Sequence, residues 1–170
     1  MSFKMKYDFT YSNLGIIKTT YCNKPSQTLA ECIINVLMKI DFEKIVLKNS
    51  SIEIFENTKY GTGINFNLIS KSSISLNINI TEKCIDFMVN DNITIYEMYK
   101  VENIVDFLKD FKKWFDNTII ESTYVKFGFI FVYKIENSKG DILFKSLNYF
   151  YSNHLNRNSY QNKYEAWIMN

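Results

Sequence analysis

The chain carries one histidine, His154, and three cysteines, Cys22, Cys32 and Cys84, so most nucleophilic and metal chemistries have nothing to assemble from. A Cys/His pair is arithmetically available. Strand alternation sets Cys84 opposite Ile85, Phe87 and Val89, which makes it the thiol expected to be accessible. His154 sits among Asn153, Asn156 and Asn158, where a solvated surface histidine is the simpler reading. A histidine-rich metal cage is excluded by count, and the cysteines lack the spacing of a zinc finger. Their odd number and the missing CxxC pattern point to three reduced thiols.

Four carboxylates, Glu82, Asp86, Asp91 and Glu97, fall within one expected hairpin in which Lys83 is the only base. They lack the ligand spacing of a twelve-residue calcium loop, so no metal and no cofactor is expected. The plain reading is a solvated sheet face. Grouping like charges on a chain whose net charge is only +2 costs self-repulsion, however, and a basic partner would turn that cost into attraction and faster encounter. Tyr96, read on the face opposite Ile93 and Ile95, would supply an aromatic anchor. Glu82, Asp86, Asp91, Tyr96 and Glu97 are therefore the expected partner-binding set.

Two other motifs carry less. Tyr60-Gly61-Thr62-Gly63 contains GxG, but a phosphate cradle needs further glycines and a helix N-terminus, and a strand pattern follows instead; a turn is expected. Between residues 145 and 163, Lys145, Arg157 and Lys163 interleave with Tyr149, Phe150, Tyr151 and Tyr160, a pattern that can hold single-stranded nucleic acid. Three charges over that length are few, and no RNP-like motif accompanies them. Nucleic acid is not the expected partner.

These residues need a scaffold. At 170 residues and 46% apolar content the chain is the size of one domain, enough to bury about 68–70% of its unfolded surface. Met1 to Phe9 has no apolar leader core, and no stretch approaches the roughly 18 apolar residues of a membrane span, so a cytoplasmic protein away from membranes is expected.

Phe3, Met5, Tyr7, Phe9 and Tyr11 alternate with polar residues as one strand, Asn13 to Gly15 reads as a turn, and Ile16 to Tyr21 reads as the return strand of a hairpin. Thr28 and Glu31 fit a capping box ahead of Leu29, Ile33, Val36, Leu37 and Ile40, which predicts a helix over 27–40 with Cys32 beside its core stripe. From Glu43 to Tyr99 the period is two, an antiparallel meander that starts at Ile45 and Leu47 and turns at 49–51, 70–73, 81–83 and 90–92. Ile104, Phe107, Leu108, Phe111, Trp114 and Phe115 predict a second amphipathic helix. Val125 to Ile135 follows as one central strand apolar on both faces, then a turn at 138–141 and a partner strand over 142–151.

The expected fold is thus a single α+β domain over 1–170: an antiparallel meander with two helices on it, in the order ββ-α-ββββββ-α-ββ. Residues 152–170 are expected as a looser tail with a short helix. By elimination, such a domain with no convergent titratable set is expected to be a non-enzymatic protein-binding or inhibitory domain, of the kind represented by bacterial immunity proteins that neutralise a toxin. The alternative is a small-molecule-binding or enzymatic domain with a pocket between sheet and helices.

Overall fold

In a computed structural model, the described residues are 4–21, 28–57, 61–72, 74–81, 84–90, 93–100, 104–126, 129–147, 158–164 and 166. Among them lie three α-helices and two antiparallel sheets, of six and four strands, an α+β fold. The chain divides into two compact units, 1–109 and 110–170. No helix among the described residues is long and apolar enough to cross a membrane.

The first unit opens with strand β1 (Lys4–Asp8), then helices α1 (Tyr11–Tyr21) and α2 (Thr28–Leu37). The expected return strand over 16–21 is thus a helix. Its β-branched run, Ile16, Ile17, Thr19 and Thr20, favours a strand locally, but the start is capped. Thr10 Oγ1 accepts from the Asn13 amide at 3.1 Å, the first helical bond runs from Leu14 N to Thr10 O, and Asn13 Nδ2 ties back to Asp8 O. Leu14 and Ile17 then bury one face. Packing and a cap outweigh a propensity difference of well under about 1 kcal/mol per residue.

Helix α2 forms where expected, and its stripe is wider than the spacing alone showed, since Ala30 and Ile34 are buried beside Leu29, Ile33, Val36, Leu37 and Ile40. Cys32 is half-buried. The meander does not begin at Ile45. Two 3-10 turns, Phe42–Lys44 and Leu47–Asn49, occupy that stretch, the first capped by the Asp41 side chain on Glu43 N. Ile45 is buried and makes one bridge to Ser70, while Leu47 is exposed.

Strands β2 (Ser51–Asn57), β3 (Gly61–Ile69), β4 (Ser75–Ile80), β5 (Cys84–Val89) and β6 (Ile93–Lys100) then follow in spatial as well as chain order, with β1 outside β2. Gly61 and Gly63 lie in β3, so the expected turn at 60–63 is corrected to the start of a strand. Gly61 has φ +79°, and a Cβ at Gly63 would fall 2.3 Å from Phe55 Cζ, because the Phe55 ring lies over its cross-strand partner. The turns at 70–74, 81–84 and 90 are tied by Ser70, Thr81 and Asn90, the last at φ +51°.

Because the register is regular, side chains line up in rows across the sheet. Ile54, Ile64, Ile80 and Ile85 form one row, and Ile52, Phe66, Ile78 and Phe87 another. All are buried, as are Leu68, Leu76 and Val89, and with the apolar faces of α1 and α2 they make the core of this unit. The opposite face is mostly polar, with Phe55, Ile69 and Met88 set among Glu53, Asn65, Asn67, Asn77, Asn79 and Asp86.

Helix α3 (Ile104–Phe115) spans the division between the units, with Phe107, Phe111, Trp114 and Phe115 buried as the spacing predicts. The second unit contains β7 (Ile119–Lys126), β8 (Phe129–Asn137), β9 (Ile142–Leu147) and β10 (Asn158–Tyr164), in the spatial order β10-β7-β8-β9. The expected single strand over 125–135 is two strands, since Val125 belongs to β7 and pairs with Ile130 of β8. β8 does lie inside its sheet, but Val132 and Tyr133 are only half-buried, so the described part is not covered on both faces. Asn137 organises the next turn: its Oδ1 accepts from Lys139 N and Asp141 N, and Gly140 takes φ +87°. The expected tail contains a strand instead of a loop, β10. His154, Cys22, Phe127 and most of the expected terminal helix lie outside the described residues.

Candidate partner-binding surface

The polar side of the six-stranded sheet carries a partly open depression of about 430 Å3, lined by Asn65, Asn77, Asn79, Asp86, Met88, Thr94 and Glu97. Pairing explains the lining. Asn65 lies opposite Asn79 and Asn79 opposite Asp86, while Asn77 lies opposite Met88 and Met88 opposite Thr94. Asn65, Asn77, Asn79, Asp86 and Met88 each sit between buried apolar neighbours on their own strands, so alternation forces them outward.

Amide groups knit the floor. Asn65 Nδ2 donates to Asn77 Oδ1 at 3.0 Å, and Asn79 Nδ2 approaches Asp86 Oδ2 at 3.4 Å. Asn79 Oδ1 is buried and accepts no hydrogen bond among the described residues.

The acidic end is set by an irregularity in β6. Ile85 pairs with Tyr99 and Phe87 with Tyr96, so Glu97 and Met98 together oppose Asp86; Ile95 is a second extra residue, between the pairs Met88–Thr94 and Phe87–Tyr96. Such bulges re-aim side chains, and here Glu97 is brought to the depression that Asp86 lines. At the other edge of the same face Glu53 is engaged by Lys4 at 2.7 Å and Lys6 at 3.9 Å.

Of the five residues singled out from the sequence, Asp86 and Glu97 are thus brought together. Glu82 and Asp91 lie outside the described residues, as does the Tyr96 side chain, whose backbone pairs with Phe87. Reading for charge passed over the asparagines, although Asn65, Asn67, Asn77 and Asn79 alternate with Ile, Leu and Phe in the sequence as a visible stripe. Cys84, expected to be accessible, is 4% exposed: the tight Thr81–Cys84 turn holds its amide on Thr81 Oγ1 at 3.1 Å and sets its thiol 3.2 Å from that hydroxyl. No group of three or more metal-ligating side chains occurs among the described residues.

The second unit contains a separate polar cluster. Glu121 of β7 accepts from the Tyr133 hydroxyl of β8, from the Tyr164 hydroxyl of β10 at 2.5 Å and from Asn162 Nδ2 at 2.9 Å. Partial burial opposes ionisation, yet the donors from Tyr133, Tyr164 and Asn162 together hold the Glu121 carboxyl below its ordinary value. Burial, then the bond to the Glu121 carboxylate, pushes Tyr164 up to about 12. This is a clasp joining three strands.

No protein-family model, no curated protein and no solved structure matches the chain.

Proposed function

We propose that the chain is a non-enzymatic protein-binding and inhibitory domain, of the type represented by bacterial immunity proteins that neutralise a partner toxin. The observation that supports this reading best is that Asp86 and Glu97 line the same partly open, amide-floored depression of the sheet face. A partly open concavity that carries charge on its lining suits a protein surface, whereas turnover of a small substrate calls for convergent titratable groups with perturbed ionisation. The expected partner is basic, because the acidic end of the face would steer it in.

The test starts from affinity capture with the full chain at low salt, identification of the captured protein, and its purification. Association kinetics across ionic strength and the partner's toxicity on co-expression are then measured. Wild type should suppress toxicity, and association should slow as salt rises. Changing Asp86→Lys together with Glu97→Lys should slow association about tenfold or more at low salt, since steering contributes factors of 10 to 1,000. Association unaffected by both salt and charge reversal would remove this face from the reading. Saturable binding of a small metabolite with no protein captured would favour the small-molecule alternative.

A further inference from the structure

We propose, resting on the protein-binding reading, that β10 is a replaceable strand and that the β7 edge it covers receives an extended basic segment of a partner protein. That segment would carry an arginine opposite Glu121 and an aromatic residue two positions further on. Among the described residues β10 pairs with β7 alone, in unbroken register from Asn158–Val125 to Tyr164–Ile119. Little else fixes it. Gln161, Asn162 and Lys163 are exposed, and Tyr164 alone of these four neighbours is buried. An edge strand with so little buried apolar surface opens locally at lower cost than the core does.

The clasp is what a stronger occupant would use. Glu121 accepts from Asn162 Nδ2 and from the Tyr164 hydroxyl, so β10 meets a carboxylate with neutral donors only. A guanidinium at the Asn162 position would offer the same carboxylate a planar, charged fork, and such bonds are about twice as strong as neutral ones. Asn162 lies directly opposite Glu121 and is exposed, so a longer side chain has room there. Tyr164 lies opposite the buried Ile119, which marks the place of the partner's aromatic ring. When β10 leaves, Glu121 keeps the Tyr133 hydroxyl of β8, and the carboxylate is not left bare while the edge is open. An incoming strand then remakes the backbone ladder.

Hydrogen exchange of the full chain, titrated with blocked peptides of the 158–164 sequence, tests this. One peptide is unchanged, one carries Asn162→Arg, and one has citrulline at that position, which keeps the shape and loses the charge. The Asn162→Arg peptide should bind saturably and at least about tenfold more tightly than the other two. Its binding should speed exchange of the 158–164 amides while those of β7 stay protected. Because the edge must open first, Tyr164→Phe in the chain should speed peptide binding about tenfold, through the lost bond to Glu121. Asn162→Ala, at an exposed position, covers the case in which that variant fails to fold. Exchange of the 158–164 amides only when the whole chain unfolds, no binding at about 1 mM peptide, or equal binding of arginine and citrulline would overturn the assignment. A captured basic partner that leaves those amides protected would overturn it too, and would leave the inhibitory reading standing. Peptide binding as described with no protein captured would uphold the exchangeable edge and count against that reading.

Discussion

The Glu121 clasp makes the sharpest stability prediction. Tyr164 is 7% exposed, so Tyr164→Phe keeps the buried ring and removes only the hydroxyl that donates to Glu121. A hydrogen bond to a charged group contributes about 1.5–3 kcal/mol, and because Glu121 is only half-buried, water replaces part of it. The expected loss is about 1–1.5 kcal/mol at neutral pH. A double-mutant cycle of Tyr164→Phe with Glu121→Gln isolates the pair and should return a coupling of about 1 kcal/mol. The pH dependence has two limbs. Glu121 lies below its ordinary value of 4.5 in the folded state, so its contribution is present above 4.5 and lost as pH falls beneath it. Tyr164 is raised from 10.0 to about 12, so its contribution is present below 10 and lost as pH rises from 10 towards 12. Urea unfolding across pH, with hydrogen exchange of the 158–164 amides as a local reading, measures both. A coupling below about 0.3 kcal/mol, or an alkaline limb unchanged by Tyr164→Phe, would refute the clasp as a stabilising unit.

Three further outcomes follow from the first unit. Phe66, fully buried in an inner strand, should cost about 3–5 kcal/mol on truncation to Ala, read as a shift of the urea midpoint. Gly63→Ala forces its new methyl against the Phe55 ring and should cost about 1–2 kcal/mol, much of it recovered by adding Phe55→Leu in the same unfolding assay. In the folded protein Cys32 should react with a thiol reagent well before Cys84, whose sulfur is buried in its turn, and the denatured chain should titrate three thiols without reductant.

The parts of the fold legible in the sequence were those where burial and periodicity coincide. The alternation Ile64-Asn65-Phe66-Asn67-Leu68 can be satisfied only by a strand with one wet face, and Phe107, Phe111 and Trp114 only by a helix. α1 was hidden because its evidence is a cap and two buried side chains, while its β-branched residues argue for a strand. β10 was hidden for the opposite reason: Asn158 to Tyr164 has almost no apolar residue to reveal it, and its strand is held by the β7 backbone and the Glu121 carboxylate, forty residues away in sequence. At the candidate site, charge identified Asp86 and Glu97. The asparagine floor was invisible to that criterion, since amides carry no charge and their meaning lies in which neighbour each one bonds.

The strand order of the second sheet also orders events in time. In the first sheet β2 to β6 each meet their partner as soon as the next strand emerges, whereas β7 gains β8 at once and waits for its other neighbour until residues 158–164 have been made. Over that interval β7 has an unfilled edge beside the β8–β9 pairing, and closing it requires the chain to return to β7 after β9. Where two nascent chains lie close, as on one messenger, the β10 of one can fill the β7 edge of the other, so strand exchange between copies is the misassembly this topology invites.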